Sequence, residues 1–315
     1  MRQLLALLLL ATTGLAAAQG YPNRPVRVLV PFQAGSAPDQ IIRITTQHMQ
    51  TTLGQPFVIE NRPGANGNIG VAEAARAAPD GYTLVSANNT TFAANPSLFT
   101  KLPFDPQKDF TPIGRLITTG LILSVRPDFP AKDLKEFIAY AKARPGKLTV
   151  AQASAGMQVS IAMLKSLAGV EMLEVPYKGQ PQALSDLLGG QVQVTFADYA
   201  VGLPQIRAGK LRGLGVTTAK RSDTAPEIPA IGEVVPGFDL AVWAGMAAPA
   251  GTPKDIVQTL WRAADKALAS PEVKKAMAAM SFNVEPLNPD EFAAYIKSET
   301  AKWAKLVKEA GIQPQ

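Results

Sequence analysis

The sequence predicts an α/β protein of two domains. Its 315 residues, 47% of them hydrophobic, suffice for two cores, and nothing in the composition resembles a disordered chain. Short apolar strands alternate with helical patterns, the arrangement of parallel strands covered by helices. A unit of strand, short polar turn and helix recurs in two separate runs. Residues 19–118 plus 246–315 are therefore expected to form domain 1 and residues 119–245 domain 2, with a crossing segment at each end of domain 2.

The chain opens with Arg2, an apolar run over residues 4–10, and Ala16-Ala17-Ala18 before Gln19. This is the form of a secretory signal peptide, expected to be cleaved after Ala18 and to place the mature protein in the periplasm. The apolar run is shorter than the roughly 20 residues that span a bilayer.

Val28, Leu29 and Val30 read as a buried strand that enters the turn Pro31-Phe-Gln-Ala-Gly-Ser36. Pro38 and Asp39 open a helix whose apolar positions are Ile41, Ile42, Ile44, Met49 and Leu53 and which ends near Gly54. Such a turn gathers free backbone N–H groups at the positive end of a helix dipole, where an anion is stabilised. Residues 57–60 form the next strand, the Gly- and Asn-rich loop 61–70 opens a helix over 71–78, and strand 82–87 runs into Asn88-Asn89-Thr90-Thr91. Ligands of open parallel sheets bind outside the carboxyl ends of the strands, so residues 33–36 and 88–91 share one expected rim. Residues 95–112 read as irregular with a short helical turn, and 113–125 as the first crossing.

In the second run, Asp133 caps a helix that reaches Ala143, and strand 148–152 enters Ala153-Ser-Ala-Gly156. Helix 158–167, strand 172–176, the turn Tyr177-Lys178-Gly179, helix 181–188 and strand 192–196, ending in Ala197-Asp198, follow. Strand 211–216 precedes a loop-rich segment, and residues 240–248 read as the return crossing. From Pro253 onward the chain reads as helical, with Phe292, Ile296, Trp303 and Val307 on one buried face.

The net charge is +6, falling to +5 once Arg2 leaves with the signal peptide. Lys and Arg are scattered with no basic run and no interleaved aromatics, which argues against nucleic-acid binding. There is no cysteine, so no disulfide contributes and no lipid anchor on a cysteine is available. One histidine and no cysteine also exclude a His/Cys metal cluster. A serine triad would need His48 as its base, and His48 falls in mid-helix, far in sequence from Ser154. Asp39, Asp80 and Asp198 each follow a turn or strand, where capping is the common role of a carboxylate. Residues 64–70 lack the lysine of a phosphate loop. No enzyme and no cofactor are expected.

The exported start, the Val30-Pro-Phe32 loop with Gly35 and Asp39, Glu60-Asn-Arg-Pro-Gly-Ala-Asn-Gly-Asn-Ile-Gly70, Val175-Pro-Tyr-Lys-Gly179, Asp186-Leu-Leu-Gly-Gly-Gln191, and Trp243-Ala-Gly245 with Ala248-Pro-Ala-Gly-Thr-Pro253 together resemble the Bug-type substrate-binding proteins of tripartite tricarboxylate transporters. The resemblance covers nearly the whole mature chain. It implies a type II periplasmic-binding-protein fold with two crossing strands, a ligand cleft between the domains, and delivery of a small organic carboxylate to membrane transporter subunits. By position it places the first-domain ligand loop on Phe32, Gln33, Ala34, Gly35 and Ser36, with Asp39 at the helix start, and the second-domain loop on Ser154, Ala155 and Gly156. Tyr177, Lys178 and Asp198 fall at strand ends near the cleft, as do Asn88 and Asn89. Two helix N-termini would then face each other across the ligand.

Two departures bear on the ligand. The paired glycine usual in the first loop is replaced by Ala34-Gly35-Ser36-Ala37-Pro38, and the second loop continues through Met157, Gln158, Val159 and Ala162. If these apolar side chains face the cleft, a less polar acid is favoured; if they pack away, they say nothing of it. A receptor that signals to a membrane sensor would need the same cleft and remains an alternative to uptake. Nothing resembles a coiled coil, consistent with a monomer.

Overall fold

The computed structural model describes residues 20–177, 179–222, 224–309 and 311–314. The expected signal peptide and Lys178 lie outside the described residues. In chain order the elements are β1 (Val26–Val30), α1 (Ala37–Leu53), β2 (Phe57–Asn61), α2 (Asn68–Ala75), β3 (Thr83–Asn88), α3 (Asn95–Leu98), β4 (Phe110–Thr119), β5 (Leu121–Val125), α4 (Leu134–Lys142), β6 (Leu148–Gln152), α5 (Ala155–Ala168), β7 (Met172–Pro176), α6 (Gln180–Leu188), β8 (Val194–Asp198), α7 (Tyr199–Arg207), β9 (Arg212–Val216), β10 (Val242–Pro249), α8 (Lys254–Ala269), α9 (Pro271–Ala279), β11 (Asn283–Leu287) and α10 (Pro289–Glu309).

These build two sheets, one in the order β11-β4-β10-β3-β1-β2 and one in the order β7-β6-β8-β5-β9. Strands β2, β1 and β3 are parallel, as are β7, β6 and β8. The strands at the crossings run against them: β10 pairs antiparallel with β3, and β5 with β8. The sequence reading expected parallel strands; a strand arriving from the other sheet enters from the cleft end and so runs the opposite way. β4 ends at Thr119, and after Gly120 alone β5 starts in the second sheet. A Cβ on Gly120 would stand 3.0 Å from the Tyr199 ring and 3.1 Å from Thr218 Cγ2, so a side chain at the crossing would have to displace these neighbours. The return lies at Leu240–Ala241. Leu240 N–H donates to Thr217 O at 2.7 Å, and Val242 already pairs with Thr119. Val242 to Gly245, read from sequence as part of domain 2, thus belong to the first sheet; the unbroken apolar run 240–248 does not mark where the pairing partner changes.

Helix α1 forms where the sequence places it. Pro38 sits in its first turn, Ile41, Ile42, Thr45, Thr46 and Met49 make the buried stripe, and Gly54 ends it in the left-handed conformation (φ 71°). Each such isoleucine contributes roughly 1.5–3 kcal/mol by burial. That stripe joins Val26, Val28, Val30, Leu84, Ala244 and Met246 in the core on one face of the first sheet. On the other face a single core runs from Leu29, Val85 and Phe92 through Trp243 and Phe292 to Leu121, Leu123, Met157 and Phe196, joining the two domains. Sequence reasoning missed α7, whose Pro204 disguises it. It also missed β11, a short edge strand that carries Pro286 within the C-terminal helices.

Where β4 and β10 pair, Gly114 and Gly245 let two rings lie on the sheet. A Cβ on Gly114 would come within 2.3 Å of the Trp261 ring, and one on Gly245 within 2.4 Å of Gly114 O and 2.7 Å of the Phe292 ring. The Gly245→Ala substitution is expected to cost about 1–3 kcal/mol, the range for overpacking. A thermal melt would register this as a clear drop in Tm, and an unchanged Tm would contradict the packing described.

Candidate functional site

The carboxyl ends of β1, β2 and β3 form one rim and those of β6, β7 and β8 another, each belonging to a different sheet. On the first rim, Gln33, Ala34 and Gly35 are exposed, while Phe32 and Ser36 are half-buried. Gly35 has φ 78°, which only glycine adopts freely, and no atom lies within 4 Å of where its Cβ would be.

The loop is held from behind by Asp39, which is 2% exposed. Its carboxylate accepts from Gly35 N–H at 2.8 Å, from Arg43 Nε at 3.0 Å and from Asn61 Nδ2 at 2.9 Å. The same Asn61 amide donates to Phe32 O at 3.0 Å. Burial pushes the Asp39 carboxyl up, but the hydrogen bonds from Arg43, Gly35 and Asn61 together with the Arg43 charge outweigh it, and the net effect is below the ordinary value. Asp39 therefore fixes the loop and has its oxygens committed. Asn61 and Arg43 were missed by sequence reasoning; the signal available was the polar amide ending strand 57–60 beside the loop.

Deeper on this rim, Asn88 and Asn89 are buried, 4% and 3% exposed. Asn88 Oδ1 accepts from Thr91 N–H at 3.1 Å, which starts the π-helical turn Thr90–Ala94. Such turns recur at functional sites.

On the second rim, Ser154 is exposed and caps α5, its Oγ accepting from Met157 N–H at 3.3 Å. Ala155 and Gly156 are buried. Gly156 lies against the crossings: a Cβ there would stand 3.6 Å from Leu121 and 3.9 Å from Val242. Met157 and Val159 are fully buried in the shared core, so the apolar substitutions of this loop pack away from the cleft. Tyr177 is half-buried and its hydroxyl donates to Asp186 Oδ2 at 2.9 Å, turned toward α6. Asp198 ends β8 opposite Leu121, beside the first crossing. Its N–H donates to Gln180 Oε1 at 3.2 Å, and Gln180 Nε2 reaches Met157 Sδ at 3.6 Å, so Gln180, also missed, ties the three segments of this rim. The Asp198 carboxylate has no partner among the described residues, and burial pushes its carboxyl up to about 6. A cavity of about 490 Å³ lies between Asn66, Phe99, Gln158, Lys165 and Ile312. His48 is half-buried in mid-α1, away from Ser154 in the other domain. Among the described residues no group of three His, Cys, Asp or Glu side chains could hold a metal ion.

Two α/β domains joined by two crossings, with polar loops at facing sheet ends, define a two-domain solute-binding protein. Residues 41–312 match the family described as tripartite tricarboxylate transporter family receptor, and the chain belongs to that family. Its fold is shared by the periplasmic binding protein BugD, 36% identical over 94% of this chain and all of that one, with a TM-score of 0.83. Rpa4515 of R. palustris with adipate is 33% identical, covers 94% of this chain and all of its own, and has a TM-score of 0.87. MatC of Rhodopseudomonas palustris with bound malate is 35% identical, covers 91% of this chain and all of its own, and has a TM-score of 0.81.

The raised Asp198 carboxyl gives a signed expectation. Between pH about 4 and about 6 the unfolded chain loses this proton while the folded protein keeps it, so this group's contribution makes stability fall as pH rises and level off above 6. Asp198→Asn removes the penalty. Its stability should match wild type near pH 3.5 and exceed it at pH 7 by on the order of 1–2 kcal/mol, read as a higher Tm; equal melts at both pH values would contradict the burial.

Proposed function

We propose that the mature protein is an extracytoplasmic receptor that captures a small organic carboxylate between its two domains and hands it to the membrane subunits of a tripartite transporter. The observation that carries this is the first rim: an exposed loop, clamped from behind by Asp39, at the start of a 17-residue helix whose N-cap side chain makes no capping bond. The adipate and malate bound in the related structures support a dicarboxylate of four to six carbons as the starting candidate. Export fits the leader expected from the sequence of residues 1–18. The contact set proposed is Phe32 to Ser36, Asn88 and Asn89 from the first domain, and Ser154 to Gly156, Tyr177, Lys178 and Asp198 from the second, with Asp39 acting through the loop. A monomer suffices for this role.

Magnitudes require both domains. Micromolar binding needs about 8 kcal/mol, whereas one helix terminus supplies roughly 0.3–1 and at most about 2. Several charge-assisted hydrogen bonds of roughly 1.5–3 kcal/mol each make up the difference. A ligand that touches both rims stabilises the closed arrangement over the open one, so closure about Gly120 and Leu240–Ala241 accompanies capture. No step of bond making or breaking is needed for this role.

A thermal-shift screen of the mature protein against malate, succinate, adipate, citrate, amino acids and aromatic acids tests this. A ligand at a hundred times its Kd adds about 2.7 kcal/mol, so one acid class should raise Tm by several degrees; no shift with any acid would end the carboxylate reading. Gly35→Val, which forces a branched residue into the left-handed region, should lower affinity at least tenfold, and retained affinity would move the site away from this loop.

A further inference from the structure

Loop 61–70 carries a backbone that its sequence does not favour. Gly64, Ala65, Asn66 and Gly67 follow one another with φ of 131°, 46°, 52° and 89°. Two of the four are not glycine, and a residue with a side chain enters this region at a cost. Such conformations persist only where the surrounding structure over-determines them. This loop is held at both ends.

At its start stands a closed ring of four charges. Arg27 of β1 donates to both oxygens of Glu60 of β2, from Nε at 2.7 Å and from Nη2 at 2.9 Å, and also pairs with Glu73 of α2. Arg62, the first residue after β2, donates to Glu60 Oε2 at 2.7 Å and to Glu73 Oε2 at 3.2 Å. Each guanidinium thus meets both carboxylates, and the hydrogen bonds from Arg27 hold Glu60 below the ordinary carboxylate range. At the far end the buried Asn95 donates from Nδ2 to Asn66 O at 3.1 Å and to Asn68 Oδ1 at 2.6 Å.

What this loop rests on is the stem of the first-rim loop. Arg62 N–H donates to Val30 O at 2.8 Å, and its neighbour Asn61 donates from Nδ2 to Phe32 O at 3.0 Å and to Asp39 Oδ1 at 2.9 Å. A Cβ on Gly67 would stand 3.3 Å from the Phe32 ring and 3.3 Å from Pro31, and one on Gly70 would stand 3.0 Å from Pro31 Cα. The backbone of 61–70 therefore lies directly against Pro31 and Phe32. For stability the ring is a weak device, since its side chains are 29–45% exposed and ion pairs there contribute little. For geometry it is a strong one, because a planar guanidinium meets a carboxylate in a fixed orientation and this ring joins two strands, a loop and a helix at once.

We propose that the ring of Arg27, Glu60, Arg62 and Glu73 positions the first-rim loop, holding Asn61, Gly67 and Gly70 against Pro31 and Phe32 so that residues 32–36 keep one shape before a ligand arrives. None of the four belongs to the contact set, so they are positioning residues that act through Asn61 and Gly67. The use made of that shape rests on the receptor reading above. A loop that holds the competent shape for only a fraction of the time has its affinity reduced by that fraction. The loss enters through the association rate, because the complex once formed keeps its contacts.

The test compares Glu73→Gln and Arg62→Lys with wild type in the mature protein. The first removes a charge from the ring, and the second keeps the charge without the fork. Amide exchange read by mass spectrometry should speed up about fivefold across residues 31–36 in Glu73→Gln and by less in Arg62→Lys, with Tm lowered by no more than about 3 °C. With whichever of malate, succinate and adipate binds wild type most tightly, Glu73→Gln should weaken binding about fivefold, mainly in the association rate. Faster exchange confined to 61–75, with 31–36 as in wild type, would overturn the proposal and show that the ring serves only its own loop. Unchanged affinity in both variants would overturn it equally. Should Glu73→Gln fail to fold, Arg62→Lys carries the same comparison. A wild type that binds none of the acids screened would remove the receptor reading, and the exchange at 31–36 would still decide for or against the ring.

Discussion

Two short passages of backbone govern what this molecule can do. Gly120 and Leu240–Ala241 are where the chain moves between sheets, and both are hemmed in: Tyr199 and Thr218 press on the first, while Thr217 bonds the second and also, through its hydroxyl, Leu121 N–H. Strands β4 and β5 flank the first passage directly and β10 begins immediately after the second, so rotation of one domain against the other is concentrated near these few residues. Hinge motion of this kind concentrates in element termini. A ligand bridging the rims acts on that narrow place with the leverage of two whole domains.

The two rims are built by different means. The first is fastened by one buried carboxylate, Asp39, which collects a backbone N–H, a guanidinium and an amide and so keeps an exposed, glycine-containing loop in one shape before any ligand arrives. The second is fastened by neutral groups: Ser154 closes its own helix, and Gln180 joins Asp198 to Met157. Preorganisation of this kind lowers the ordering cost that binding would otherwise carry. It leaves the uncapped helix start on the first rim and the desolvated Asp198 on the second, two ends of opposite electrostatic character.

Much of this was legible in the sequence. The alternation of strand and helix, the stripe of Ile41, Ile42 and Met49, the glycine at position 54 and the turn at Gly35 are local signals, and the structure forms those elements where they fall. What the sequence hides is pairing. Residues 240–248 are apolar throughout, so nothing local says that Val242 belongs with Thr119; β11 carries a proline and two charged or polar neighbours and acquires its strand form only from β4. Nor could the sequence reveal that Asp39 bonds to Gly35 and Asn61, that Met157 and Val159 turn inward, or that Tyr177 is engaged by Asp186, because each depends on which face a side chain takes once its neighbours from elsewhere in the chain are in place.

The first domain is made from both ends of the chain. β10, α8, β11 and α10 complete a sheet begun by β1, β2 and β3, whereas the second sheet is contained between Leu121 and Val216. A polypeptide that emerges amino end first can therefore finish its second domain early, while β3 waits with an unpaired edge for β10, more than 150 residues later. The order of emergence thus builds in an interval during which the first sheet stands open at one edge, a state exposed to strand pairing with other chains.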